Sequence, residues 1–209
     1  MKPKPKLLDL YCCQGGASKG YVDAGFDVVG IDIEDQPRYP YDFHQADALE
    51  YLEKNHHKFD AFHASPPCQN YTKARVLQNN EHPDLIGPTR DLLDQIGKPY
   101  IIENVPHSPL KNYIILCGQM FDIMTYRHRW FESNVDLVAP EHPKHKWVNN
   151  KMGRMPKPDE AMYVVGNFTG VARAKEIMKI DWMNREGLRE SIPPVYSEYL
   201  GKQLLQQLG

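Results

Sequence analysis

Lys6-Leu7-Leu8-Asp9-Leu10-Tyr11-Cys12-Cys13-Gln14-Gly15-Gly16-Ala17-Ser18-Lys19-Gly20 is the run that decides how this chain folds. Its first six residues form a compact apolar strand, the glycines that follow mark a tight turn, and a helical stretch continues to Ala24, where Gly25 closes it. Strand, glycine turn and helix in that order open a nucleotide-binding α/β unit. Glycines let backbone approach a ligand closely, and a helix amino terminus favours negative charge. The next strand, Phe26 to Ile31, ends in Asp32-Ile33-Glu34. An acid at the tip of a second strand is placed to accept hydrogen bonds from both ribose hydroxyls. The expectation is a Rossmann-like, mostly parallel sheet with helices on both faces.

Outward from that unit, Phe59 to Ala64 reads as a short buried strand running into Ser65-Pro66-Pro67-Cys68-Gln69-Asn70. Two successive prolines cannot continue a ladder, because each lacks a backbone donor and has φ fixed near −65°. They present Cys68 at the carboxyl end of a strand, where open α/β sheets bind their ligands, and make it a candidate nucleophile. Before it, Asp47 is set to cap a helix from Ala48 to Asn55, with Glu50 as capping-box partner. After it, Asn70 to Pro83 is polar and reads as a mobile catalytic loop. Asp84 to Ile96 is an amphipathic helix stopped by Gly97, and Tyr100-Ile101-Ile102 is a strand ending in Glu103-Asn104-Val105. Tyr113 to Cys117 reads as another strand. In Arg127-His128-Arg129, an extended segment would point both arginines the same way, toward one anionic or polar target.

From Asn134 to about Phe168 periodicity disappears while proline, histidine, lysine and aromatic residues rise, which marks an inserted module. His142 and His145 lack an accompanying cysteine pair, so no metal is expected. Arg173 to Met183 and Gly187 to Leu208 read as helical pieces broken at Pro193-Pro194. The division is 1–133 for a catalytic core, 134–169 for the insertion and 170–209 for helices completing the core.

The totals restrict the options. With 209 residues, 41% hydrophobic and 25% charged, the composition is that of an ordinary globular chain with a real core. A net charge of −2 supplies no global basic field, so nucleic-acid binding needs a local basic face. No apolar run approaches the ~18 residues of a membrane span, and Met1 to Lys6 lacks the apolar core of a signal peptide. Four cysteines without paired spacing fit reduced thiols in a cytosol.

Asp32, Cys68 and Glu103 all fall at strand tips. A thiolate, a carboxylic acid and two arginines beside a nucleotide-cofactor pocket suit methylation of a pyrimidine at C5. Carbon 5 becomes nucleophilic once the thiolate adds at C6, while the acid supports N3 and an arginine holds O2. Cations near the thiol assist its ionisation.

At these residues the sequence resembles the DNA cytosine-5 methyltransferases. The opening motif is Asp9 to Gly16, the ribose acid Asp32, the catalytic motif Pro67-Cys68-Gln69, then Glu103-Asn104-Val105 and Arg127-His128-Arg129. All lie in family order across roughly 6–133, with a weaker match over 172–206. The resemblance implies S-adenosylmethionine as methyl donor, and Cys68, Glu103, Arg127 and Arg129 as catalytic residues. It sets Tyr11, Gly15 and Gly16 against the donor's methionine part, Asp32 on ribose, and Ile33 and Asp47 at adenine. Asp9, Cys13, Pro67 and Ser191 are counted with them. It also implies double-stranded DNA as partner, with the target cytosine flipped out of the duplex.

Three departures stand out. Cys13 occupies a usual glycine position, Thr125 a usual glutamine, and Glu190-Ser191-Ile192 replaces Asn-Ser-Val. The target-reading module is short, so few base contacts are expected, and with them relaxed specificity or help from a second subunit. Compact forms of this kind resemble phage-encoded methylases, working in a bacterial or phage-infected cytosol, where restriction-modification makes blanket protection useful. Rival readings are a tRNA cytosine-5 methyltransferase of the same family, a thymidylate-synthase-like enzyme, and a non-catalytic member that binds nucleic acid or donor.

Overall fold

A single mixed sheet carries the architecture. Its seven strands are β1 (Lys6–Leu10), β2 (Asp27–Asp32), β3 (Asp42–Gln45), β4 (Ala61–Ala64), β5 (Tyr100–Asn104), β6 (Ile114–Leu116) and β7 (Arg129–Ser133). They lie in the order β3-β2-β1-β4-β5-β7-β6. The computed structural model describes residues 3–67 and 84–209, so Cys68 and the expected loop to Pro83 lie outside the described residues.

Strands β1 to β5 run parallel, while β7 is antiparallel to both β5 and β6. The parallel centre is buried on both faces, which is why β1, β4 and β5 read as nearly unbroken apolar runs rather than alternating ones. The helices between strands are α1 (Gly16–Ala24), α2 (Ala48–Asn55) and α3 (Ile86–Ile96). One apolar layer gathers Leu8, Leu10, Ile31, Leu52, Phe62, Leu93 and Ile102 under α2 and α3. The opposite layer gathers Leu7, Tyr21, Phe26, Val28 and Ile101 with Tyr196, Leu200 and Leu204 of the last helix, α6 (Pro194–Leu208).

Helices α1 and α6 meet through glycine. A β-carbon on Gly20 would stand 2.0 Å from the Pro194 carbonyl oxygen, and one on Gly201 would stand 2.8 Å from Ala24 Cβ. Only hydrogen at those positions lets the two backbones approach this closely. Pro194 starts α6 at its first helical position, where no backbone donor is needed.

Between β7 and α6 lie a two-residue pair, β8 (Val148–Asn149) and β9 (Glu160–Ala161), and the short helices α4 (Val171–Met178) and α5 (Arg185–Glu190). Met162, Val164 and Phe168 pack with Ala174, Ile177, Met178 and Leu188 into an apolar cluster of their own. The helix expected to reach Met183 stops at Met178, where Lys179 turns left-handed at φ 56°. Strand β3 goes unannounced by the sequence, because its residues are mostly exposed and carry no alternating apolar face. No helix of the described residues is long and apolar enough to cross a membrane.

Candidate active site

The chain leaves β1 outward to β2 and β3, then returns to add β4 and β5 on the other side of β1. Loops therefore part at the carboxyl ends of β1 and β4, and a crevice opens there. It is a cavity of about 510 Å³, a volume suited to a nucleoside-sized ligand. Its wall draws on the glycine turn after β1, the tip of β2, the proline turn after β4, the tip of β5, Arg129 and the segment 183–192.

Local chemistry shapes the turn after β1. Tyr11 and Cys13 both adopt left-handed backbone, φ 59° and 44°, and Gly15 follows at φ 83°. Glycine takes such angles freely, whereas cysteine pays roughly 1 kcal/mol for them. Asp32 steadies the strained loop: its carboxylate accepts the Cys13 N–H at 2.9 Å and the Glu34 N–H at 3.0 Å. Burial, with Asp32 nearby, pushes the Cys13 thiol well up, so it stays protonated. Asp9 is fully buried at the base of the cavity. One of its oxygens accepts the Ser18 hydroxyl and the other faces His63 Nδ1 at 2.8 Å, which commits Asp9 to holding strand, turn and helix together.

Gly16 faces the cavity, but a β-carbon there would fall 1.7 Å from Ser191 Oγ. The distant Glu190-Ser191-Ile192 thus closes directly onto the first turn of α1. Gly15 stands behind the wall, with the Tyr39 ring 2.9 Å from where its β-carbon would be. A clamp missed in the sequence reading strengthens this closure. Gln14 exchanges hydrogen bonds with Asn184 at 2.9 and 3.3 Å, and its carbonyl accepts Trp182 Nε1–H at 2.7 Å. Glutamine and tryptophan so far apart in sequence leave no local signal.

At the opposite wall Ser65, Pro66 and Pro67 carry the chain off β4, and Cys68 is the residue after Pro67. Asn104 Nδ2 donates to the Pro66 carbonyl at 2.9 Å, while Asn104 Oδ1 accepts the Val105 N–H at 2.9 Å. The side chain of Asn104 therefore ties the end of β5 to the proline turn, a positioning task that no spacing rule advertises. Glu103 and Arg129 form an ion pair, Oε1 to Nε 2.9 Å, with side-chain exposures of 9% and 14%. The guanidinium N–H is not aimed along that line, and among the described residues Glu103 Oε1 has no hydrogen bond of its own.

The expectation that Arg127 and Arg129 project together does not hold. Arg127 sits at φ 36°, outside β7, and its guanidinium donates to the carbonyls of Val164 and Arg189 at 2.6 Å each. The left-handed backbone of Arg127 itself breaks the extended geometry that side-by-side projection requires. Asp47 also departs from the cavity. Its Oδ1 accepts the Leu49 and Glu50 N–H groups at 3.0 and 2.9 Å and caps α2. Glu50 pairs with Lys54 instead of completing a capping box. Ile33 is 64% exposed at the cavity rim, an apolar side chain free to cover a flat ring.

Among the described residues acids dominate the wall: Asp9, Asp32, Glu34, Glu103 and Glu190 against Arg129 and Arg189. That balance favours a ligand bearing positive charge.

No model of a known protein family matches the sequence, and no curated protein matches it. Solved structures do. A prophage-encoded Escherichia coli protein assigned as a DNA modification methyltransferase superposes with TM-score 0.66 at 15% identity, covering 98% of this chain and 99% of that one. The S. pombe Dnmt2 methyltransferase gives 0.66 at 14% identity over 99% and 100% of the two chains. The Entamoeba histolytica methyltransferase EhMeth gives 0.61 at 12% identity over the whole of both. The fold is the Rossmann-like fold of these methyltransferases.

Proposed function

We propose that the chain transfers a methyl group from S-adenosylmethionine to C5 of cytosine in double-stranded DNA. The observation that carries this reading is one acid-lined cavity whose two walls differ in chemistry. One wall is the glycine turn with Asp32, and the other is Pro67 with Glu103 and Arg129. A nucleoside-bearing cation suits the first, and a polar heterocycle presented beside Cys68 suits the second.

S-adenosylmethionine, when bound, supplies an electrophilic methyl group. The fit rests on the acidic lining, on the apolar Ile33 at the rim, and on Gly16, whose missing side chain keeps the turn open beside Ser191. Tyr11, Cys13 and Gly16 hold the methionine end, and Asp32, already oriented by two backbone N–H groups, retains lone pairs for ribose hydroxyls. Gly15 and Asp47 support this pocket from outside its surface, and Asp9 forms part of its base.

On the other wall, the Cys68 thiolate adds to C6 of a flipped-out cytosine. Glu103 hydrogen-bonds or protonates N3 as charge develops, and Arg129 orients Glu103 while its remaining N–H groups address O2. Once C5 has taken the methyl group, loss of the C5 proton and expulsion of the thiolate restore the aromatic ring. Asn104 keeps the Pro66 turn in register with Glu103.

The 134–169 module is the target reader in this scheme. It exposes Lys144, Lys146, Lys151 and the apolar Met152 and Met155, a mixed basic and apolar face suited to phosphates and base edges. The test supplies methyl-labelled S-adenosylmethionine with duplex DNA, single-stranded DNA and tRNA in parallel, then separates the nucleosides. Label in 5-methyldeoxycytidine from duplex DNA is the expected result. Label confined to 5-methylcytidine from tRNA would move the substrate to RNA, and no labelled cytosine from any substrate would overturn the reading.

A further inference from the structure

The inserted module is fastened to the sheet edge by a group of side chains that the methyl-transfer reading does not use. Antiparallel β6 and β7 pair Leu116 with Arg129. The next residues outward, Cys117 and His128, therefore stand opposite each other at the end of the ladder. Over them the module folds back His142 and His145. One ligand-type atom from each of these four residues lies within 4.8 Å of every other. Cys117 Sγ is 3.5 Å from His145 Nε2, and His128 Nε2 is 3.3 Å from His142 Nε2.

We propose that Cys117, His128, His142 and His145 bind one zinc ion, which staples the 134–169 module to the β6–β7 edge. Zinc takes one thiolate and imidazoles readily, and structural sites hold four protein donors in a tetrahedron. At its usual bond lengths the edges of such a tetrahedron are roughly 3.3–3.8 Å. The Cys117–His145 and His128–His142 donor separations already fall in that range, and no other exceeds 4.8 Å.

Tautomers support the same reading. His142 Nδ1 lies 2.8 Å from the Pro143 carbonyl, which can only accept, so Nδ1 carries the proton and Nε2 presents its lone pair inward. A ligand histidine whose second nitrogen donates to a carbonyl is the usual outer support of a metal site. The rings are held before any ion arrives: Tyr126 stacks on His145 at 3.7 Å between centroids, and its hydroxyl accepts the Trp147 N–H at 2.8 Å. Hydrogen bonding alone would satisfy these groups in pairs, and it gives no reason for four donors to converge on one point. The inference stands apart from methyl transfer, although His128 sits between Arg127 and Arg129, so the ion would also steady the start of β7.

The test uses the full chain, purified, stripped with a chelator and titrated with Zn²⁺ alone. One zinc bound per chain and a rise in melting temperature on adding Zn²⁺ are expected. Cobalt substitution should give the absorption of a tetrahedral site, with a sulfur-to-cobalt band that Cys117→Ser removes. His142 and His145 are exposed, so His142→Ala and His145→Ala leave the core intact. Each should melt like the metal-free parent, lose the zinc-induced shift and bind zinc at least about tenfold more weakly. A folded parent that neither retains zinc nor shifts with it would overturn the proposal, as would both variants binding zinc like the parent. Neither result depends on methylation activity.

Discussion

Arg129 pairs with Glu103 in the cavity wall, whereas Arg127 turns back to the carbonyls of Val164 and Arg189. Their substitutions should separate accordingly. Arg129→Ala should lower the rate of methyl transfer at least about a hundredfold while donor affinity, measured by calorimetry, stays within about twofold. Arg127→Ala should cost about 3 kcal/mol of stability and loosen the 189–192 segment, raising the donor dissociation constant. Equal effects of the two variants on both measurements would contradict this division. The pairing of the arginines misled because residue type does not disclose a left-handed backbone at Arg127. Glu190 offers a second residue-scale check. Burial pushes its carboxyl up, against the pull of Arg189. It is therefore neutral at acid pH and charged only above its raised value. Affinity for cationic S-adenosylmethionine should rise as pH climbs from the ordinary carboxyl value through the raised one. The product S-adenosylhomocysteine, which lacks the sulfonium charge, should show less of this rise, and Glu190→Gln should flatten it. With the Glu190 side chain 52% exposed, screening limits the effect to roughly threefold.

At the scale of elements, the contact between α1 and α6 is the most exacting. Gly20→Ala drives a methyl group into the Pro194 carbonyl and Ser197 Oγ, 2.0 and 2.1 Å away, and both belong to α6. The expected loss is about 3 kcal/mol in chemical denaturation, with the end of α5 carried away from Gly16. Gly87→Ala, where nothing lies within 4 Å, is the control and should be nearly neutral. A tolerant Gly20→Ala would mean that the helices do not approach this closely. Elements with strong local periodicity or glycine stops were legible from sequence: β1, α1, β2, α3 with its Gly97 cap, and α6. Strand β3 was not, since an exposed four-residue strand has no apolar period to read. The Asp47 cap was legible as a cap, and its two backbone acceptances leave it there. Asn104, Gln14 and the Cys117 cluster were not, because each acts through partners that only the sheet order brings near.

For the whole molecule, net charge −2 conceals a division of labour between an acidic cavity and a lysine-bearing module. DNA binding should therefore weaken steeply with salt, and replacing Lys144, Lys146 and Lys151 with Gln should lower the log–log salt slope by roughly one unit for each phosphate no longer neutralised. Donor affinity should not change, and a slope unaffected by the triple change would place the DNA elsewhere. The fold follows from the order of strands, and the methyltransferase reading follows from what that order gathers at one sheet edge. Its central claim is covalent: a cysteine sulfur joined to the ring it activates. Duplex DNA carrying 5-fluorocytosine blocks release, because fluorine at C5 cannot leave as a proton does. Intact mass spectrometry of the reaction with S-adenosylmethionine should show protein joined to the methylated strand, with Cys68 identified as the attachment by peptide mapping. Methylation of ordinary cytosine without any trapped adduct, or an adduct on a residue other than Cys68, would contradict the account.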